Sequence, residues 1–239
     1  MVKKQLMLIL IVALLLSGCG FPAPAGTEPV ALTASATATA TYIAPTRTPT
    51  PTLTPTPIPP TPDLKIIGLP SEPAGSVAFD FVEQMCAAQW FTEGGSLPCP
   101  GDASQADTGY VMRLEGGVPS VPAGFPMLLT YPPVVHYATI SSKYPPFTVQ
   151  KGDRFRTVTT CQAHSYCDVM FSFNFFNHSR QVGLGHWHYL FTDAPMVFDY
   201  SLDSLAGETV QFDLAVEVKG NRPDMYAVWI APHIYRPVQ

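Results

Sequence analysis

Charge is what this chain has least of. Only 13% of its 239 residues are Asp, Glu, Lys or Arg, and the formal net charge is −5 with a pI near 5.6. No basic stripe exists, which excludes nucleic acid as a partner. No apolar run reaches the ~18 residues that a membrane-spanning helix needs. Catalytic signatures are missing too: there is no G-x-S-x-G elbow, no H-E-x-x-H and no phosphate-cradling glycine loop. Gly183-Leu184-Gly185 lacks the strand and helix setting of a dinucleotide site. Nothing in the sequence demands an enzyme. Low charge and frequent proline (26 residues) suit a secreted all-β domain better than a helical one.

What is present begins with a targeting segment. Lys3 and Lys4 precede an apolar run, Leu6 to Leu16, and then comes Leu16-Ser17-Gly18-Cys19. This tetrapeptide resembles the lipobox of bacterial lipoproteins. The resemblance implies cleavage before Cys19 and acylation of its sulfur, and two or more acyl chains hold a protein stably on a membrane. The other reading is an ordinary signal peptide with an incidental cysteine. Residues 1–18 are therefore expected to be a signal peptide and residues 19–63 a lipid-anchored linker. The linker contains PTRTPTPTLTPTPIPPTP from Pro45 to Pro62. Alternating prolines fix φ and remove donors, so neither helix nor sheet forms. As extended polyproline II this run spans roughly 55 Å, at about 3.1 Å per residue. The expected localisation is the extracellular face of a bacterial cell membrane, with the head held out on a stalk.

Residues 64–239 are expected to fold as one jelly-roll-like β-sandwich with one short helix. The strongest strand is Val169–Phe176, where Val169, Phe171, Phe173 and Phe175 share one face. Val210, Phe212, Leu214, Val216 and Val218 alternate as cleanly, and the intervening Asp213 and Glu217 read as a solvated face. Further strands are expected at Gly109–Leu114, Met127–Tyr131, His136–Ser141, Arg154–Cys161, Gln181–Leu190, Met196–Leu202 and Met225–Ile230. The helical candidate is Ser76–Trp90, with Phe79, Val82, Met85, Cys86 and Trp90 at three- and four-residue spacing.

Four cysteines besides Cys19 allow three pairings. Local pairing, Cys86–Cys99 and Cys161–Cys167, closes two short loops and is the expectation for an exported head. A zinc site from the same cysteines and His164 would need CxxC pairs that are absent. His186 and His188 share one face of a strand and are weak candidate metal ligands, or plain surface histidines. His164 and His178 lack a spacing that would join them. Among eighteen acids, Asp153, Asp168, Asp199, Asp203, Asp213 and Glu217 offer only scattered partners for a glycosidase carboxylate pair. A structural Ca²⁺ is conceivable for such a sandwich, but no loop concentrates enough acids to locate it. No other cofactor is expected.

Aromatics are the better functional hint, because sugar rings stack on Trp and Tyr while polar groups fix their orientation. Trp187, Tyr189, Tyr137 and Tyr144 are the candidate ligand-binding residues, with core packing as the competing reading for Trp187. Trp90 and Trp229 lie in apolar patterns and are expected in the core.

From about Phe79 to Pro237 the chain resembles lipoprotein and surface domains of Chloroflexi-like bacteria. The matching pieces are FVEQMCAAQW, LPCPG, YPPFTVQKGDRFR, CDVMFSF, LGHW, SLAGETVQFDLAVEV and AVWIAPHI. Its last third, Val210–Val218, Asp224 and Ala227–Trp229, is also similar to galactose-binding-like jelly rolls, including NPCBM-type carbohydrate-binding modules. The resemblance implies a fold and a possible polysaccharide ligand, and transfers no contact residue. The expected function is a non-catalytic binding module on a lipid anchor. The alternatives are a structural or protein-interaction head that meets an envelope protein, and less favoured a glycoside hydrolase.

Overall fold

A computed structural model describes residues 64–71, 74–135, 137–162, 166–191, 194–220 and 224–238. Cys19, the linker, His136 and His164 lie outside them. The described chain is an antiparallel β-sandwich of thirteen strands. They are β1 (Gly75–Asp80), β2 (Gln89–Thr92), β3 (Gly95–Leu97), β4 (Tyr110–Arg113), β5 (Met127–Tyr131), β6 (Thr139–Lys143), β7 (Pro146–Thr148), β8 (Arg154–Cys161), β9 (Asp168–Asn177), β10 (Arg180–Leu190), β11 (Met196–Ser201), β12 (Thr209–Val218) and β13 (Ala227–Pro237). One sheet has the order β11-β8-β13-β5-β4, with β1 also on β13. The other has the order β10-β9-β12-β6-β2-β3, with β7 also on β12. Consecutive strands β5/β6, β8/β9, β10/β11 and β12/β13 fall in different sheets, so the chain winds as jelly rolls do.

The core forms where two alternating faces meet. Phe171, Phe173 and Phe175 of β9 and Phe212, Leu214 and Val216 of β12 point inward and are buried. Phe155 of β8 stacks on Phe173 at 3.7 Å between ring centres, and Phe173 lies 5.1 Å from Phe212. Trp90 and Trp229 are fully buried, as their apolar surroundings imply. A second apolar cluster covers the back of the β8–β13–β5 sheet. There Ile67 and Leu69, from the segment ahead of β1, pack with Val118, Phe125, Met127, Leu129, Val158 and Val228.

The expected helix at Ser76–Trp90 is not there. Its first part is strand β1, which pairs with β13 from Gly75↔Pro237 to Asp80↔His233. Its middle is a turn, a single 3₁₀ turn covers Met85–Ala87, and Gln89 begins β2. The cause is local. Asp80 Oδ1 accepts the amides of Val82 at 2.8 Å and Glu83 at 3.1 Å, bonds that turn the chain instead of propagating a helix. Both expected disulfides are present, Cys86–Cys99 and Cys161–Cys167.

Candidate functional site

Three of the four aromatic candidates are core residues. Tyr144 is fully buried, its hydroxyl donates to Phe81 O at 3.1 Å, and burial pushes its phenol well above the usual value. Tyr189 is buried with its hydroxyl 3.0 Å from Thr160 Oγ1. Trp187 stacks on Phe198 across the two sheets, and its indole N–H donates to Thr159 Oγ1 at 2.9 Å. The reason lies in the register of β10. Val182 faces Phe175 across β9, but a bulge falls between Gly183 and Gly185, and beyond it Trp187 faces Phe171. One extra residue moves the inward set from even to odd positions. His186 and His188 are thereby turned outward and exposed. His188 Nε2 lies 2.6 Å from Asp168 Oδ1. No group of three His, Cys, Asp or Glu suited to a metal forms among the described residues.

Tyr137 is the open one. It is 61% exposed and sits in the left-handed region, at φ 64°. Its amide donates to Val218 O at 3.2 Å, which fixes the β5–β6 loop against the end of β12. Lys219 Nζ stands 5.6 Å from the ring centre and pairs with Glu217 Oε1 at 2.6 Å. Opposite is the β2–β3 hairpin, whose Glu93 carboxylate accepts the Thr139 amide at 3.2 and 3.3 Å. Between loop and hairpin lies a cleft of about 460 Å³. Its walls mix apolar surface from Leu97, Pro98, Pro133, Val135 and Tyr137 with Thr92, Thr108, Glu93 and Asp107. An apolar ring face with carboxylates and hydroxyls around it matches a pyranose, which has apolar faces and hydroxyl edges.

Beneath this end lies an aromatic layer. Tyr110 stacks on Tyr131 at 4.9 Å, and Tyr131 lies 4.9 Å from Tyr226. Burial and the neighbouring phenols hold Tyr110 up at about 12, so its hydroxyl stays protonated.

Four of the six acids weighed for a hydrolytic pair, Asp153, Asp199, Asp203 and Asp213, are tied into the fold. Arg236 binds Asp153 at 2.7 and 2.8 Å. Asp199 takes Arg154 at 2.5 Å and Arg156 at 3.1 Å. Asp203 caps the Gly152 amide at 2.7 Å.

Asp213 departs furthest from expectation. It points to the outward face of β12, yet its exposure is 0%. Oδ1 accepts Ser142 N at 2.7 Å and Ser141 Oγ at 2.9 Å, and Ser142 Oγ lies 3.3 Å away. Oδ2 accepts Asn174 Nδ2 at 2.8 Å and the Gln181 amide. Burial raises its carboxyl above the usual value, against the pull of these donors. Ser142 Oγ also takes over ladder bonds of β12, accepting Leu214 N at 2.8 Å and donating to Leu214 O at 3.0 Å. This outward face is recessed around Asp213 and Ala215, and Lys143 Nζ lies 5.2 Å from the Phe176 ring at its edge.

No protein-family model matches the chain, and no curated protein matches it. Solved structures do. One belongs to a study of the promiscuous specificity of carbohydrate-binding modules from the β-sandwich superfamily, with TM-score 0.44, 10% identity, and 70% of this chain and 64% of that one covered. Another is a xylan-binding domain from CBM 22, with TM-score 0.39, 13% identity, and 69% and 96% covered. A third is the glycoside hydrolase domain of Endo-D from Streptococcus pneumoniae R6, with TM-score 0.39 and 13% identity. The match covers 61% of this chain and only 21% of the length of Endo-D.

Proposed function

We propose that this protein is a non-catalytic carbohydrate-binding module, carried on a stalk and held to the outer face of a bacterial membrane by acylation of Cys19. One observation carries the reading: the exposed Tyr137 forms a wall of an open cleft whose other side chains alternate apolar surface with hydroxyls and carboxylates. Of the acids weighed for a hydrolytic pair, Asp153, Asp199, Asp203 and Asp213 give catalysis no support, because each is held by partners within the fold.

The test is a glycan screen on the full chain in detergent, with and without Ca²⁺ and with disulfides intact. Tyr137→Ala should weaken binding of the best glycan by about tenfold, in line with an aromatic contact of up to ~1.5 kcal/mol, and leave the melting temperature unchanged. Unchanged affinity would remove the cleft as the site. Absence of any glycan, together with a stoichiometric envelope protein recovered by crosslinking, would replace the reading by a protein-interaction head. For the anchor, Cys19→Ser should move the protein from the membrane to the soluble fraction.

A further inference from the structure

Exposed apolar side chains are unevenly distributed over the sandwich. Val134, Val135, Tyr137, Tyr166, Leu190 and Phe191 are all exposed. They come from the β5–β6 loop, the β8–β9 loop and the last residue of β10 with the one that follows it, and the strand registers place these segments at one end. Tyr131 is opposite Tyr110, Cys161 opposite Ala227, Leu190 opposite Asp168 and Val218 opposite Val169. Two of these side chains form a pair of their own. The rings of Tyr166 and Phe191 lie 6.1 Å apart at 44°, and they are 57% and 45% exposed. Tyr166 stands on a braced base, because the adjacent Cys167 is buried and bonded to Cys161. Two residues after Tyr166 and three before Phe191 stand Asp168 and His188, a polar couple 2.6 Å apart and both accessible at their side chains.

Aromatic rings with a fixed carboxylate and imidazole next to them repeat the chemistry of the Tyr137 cleft. The strand ends between the two places run β10, β9, β12, β6. Three strand spacings of about 4.8 Å put them roughly 14 Å apart. We infer that Tyr166 and Phe191 form a second saccharide subsite at the same end as the Tyr137 cleft, so that the ligand is a chain of several sugar units and not a single residue or terminus. This rests on the carbohydrate reading above. A chain that reaches both subsites binds the second intramolecularly, at a high effective concentration, so affinity rises steeply with length.

The experiment measures affinities of the full chain in detergent for β-1,4-linked oligomers of glucose, N-acetylglucosamine and xylose, each as a disaccharide and as a hexasaccharide. For whichever series binds, the hexamer should bind at least tenfold more tightly than the dimer. The Tyr166→Ala/Phe191→Ala double variant should bring the hexamer close to the dimer and leave the dimer unchanged. Phe191→Tyr, which keeps the ring, should retain the length dependence. Melting curves of all variants should coincide with the parent, because both side chains are exposed. Equal affinity for dimer and hexamer would overturn the second subsite while leaving the cleft standing. So would a double variant that weakens both lengths alike. If the double variant instead abolishes binding to phosphatidylcholine or phosphatidylglycerol vesicles, the pair is a lipid contact and the inference fails. Binding of no oligomer in any series overturns both this inference and the carbohydrate reading.

Discussion

Four donors converge on Asp213, and no cation does so among the described residues. A carboxylate held this way is stable only while every donor stays in place, because the interior does not solvate what is left unpaired. Asp213→Ala would strand a backbone amide, the Ser141 hydroxyl and two side-chain amides. It should cost about 3 kcal/mol, read from the urea midpoint at constant m-value. Asp213→Asn should cost less, since the amides of Asn174 and Gln181 can rotate to present oxygen. The pH dependence has a definite sign. Burial raises the folded carboxyl above its unfolded value. Between the two values the native state holds more protons than the unfolded one. The stability this group contributes therefore falls as pH rises through that window and recovers on acidification. Relative to Asp213→Asn, the parent should gain stability as pH drops from above the raised value toward the ordinary carboxylate range. A constant difference would show that the donors cancel the burial. Nothing in the alternation of β12 marks Asp213 apart from Glu217. The distinction arises because β6 and β10 carry Ser141, Ser142 and Gln181 over one position and not the other, and that is a fact of strand order rather than of spacing.

At the scale of the element, β10 shows how a single extra residue decides which side chains are available. The sequence QVGLGHWHYL reads as a strand, and it is one. Its faces were not legible, because the period of two breaks at Gly183–Gly185 and the core side changes parity. Trp187 therefore packs between the sheets on Phe198 and Trp229. Trp187→Ala should lower stability by about 3–5 kcal/mol. Any loss of ligand in that variant should track the loss of folded protein in a melt and vanish at temperatures where the variant is folded. Binding lost from a fully folded Trp187→Ala would return this residue to the site. The segment Ser76–Trp90 misled for a related reason. Its apolar spacing fits a helix, but Asp80 turns the chain locally and β13 offers Phe79 and its neighbours a partner 155 residues away (Phe79↔Ile234). Periodicity reports which residues are buried; which neighbour buries them depends on pairings that a window of a dozen residues does not contain. The disulfides were legible because short loops limit the choices. The Cys86–Cys99 bond spans thirteen positions and Cys161–Cys167 six. In the chain-entropy account the first should contribute about 3 kcal/mol and the second slightly less, about 2 kcal/mol. Paired alanine replacements compared in urea would check both the size and the order.

Across the whole molecule, the segment Leu64–Leu69 and the 118–125 loop close the back of one sheet, while the loop end with Tyr137 and Tyr166 carries the exposed aromatic surface. The two alternating strands, β9 and β12, are sufficient to read a sandwich from sequence; the end at which its loops gather exposed rings is visible only once the registers are known. Charge then bears on which polymer the end accepts. The chain carries −5 overall. Glu93 and Asp107 line the cleft, and no Lys or Arg stands among its lining residues. Lys219, 5.6 Å from the centre of the Tyr137 ring, is already paired with Glu217. An anionic sugar in the cleft would face carboxylates without a compensating guanidinium or ammonium, whereas a neutral sugar would lose nothing. Exposed charge pairs are worth ~0.2–1 kcal/mol, so a uronate oligomer should bind about two- to fivefold more weakly than its neutral counterpart of the same linkage and length. The gap should close as salt rises from 0.01 M toward 1 M, because the screening length falls from about 30 Å to about 3 Å. Glu93→Gln and Asp107→Asn should narrow it at low salt, read as the ratio of uronate to neutral-oligomer affinity within each variant. Tighter binding of the uronate at low salt would mean that the ligand is held elsewhere on the surface, away from these two carboxylates.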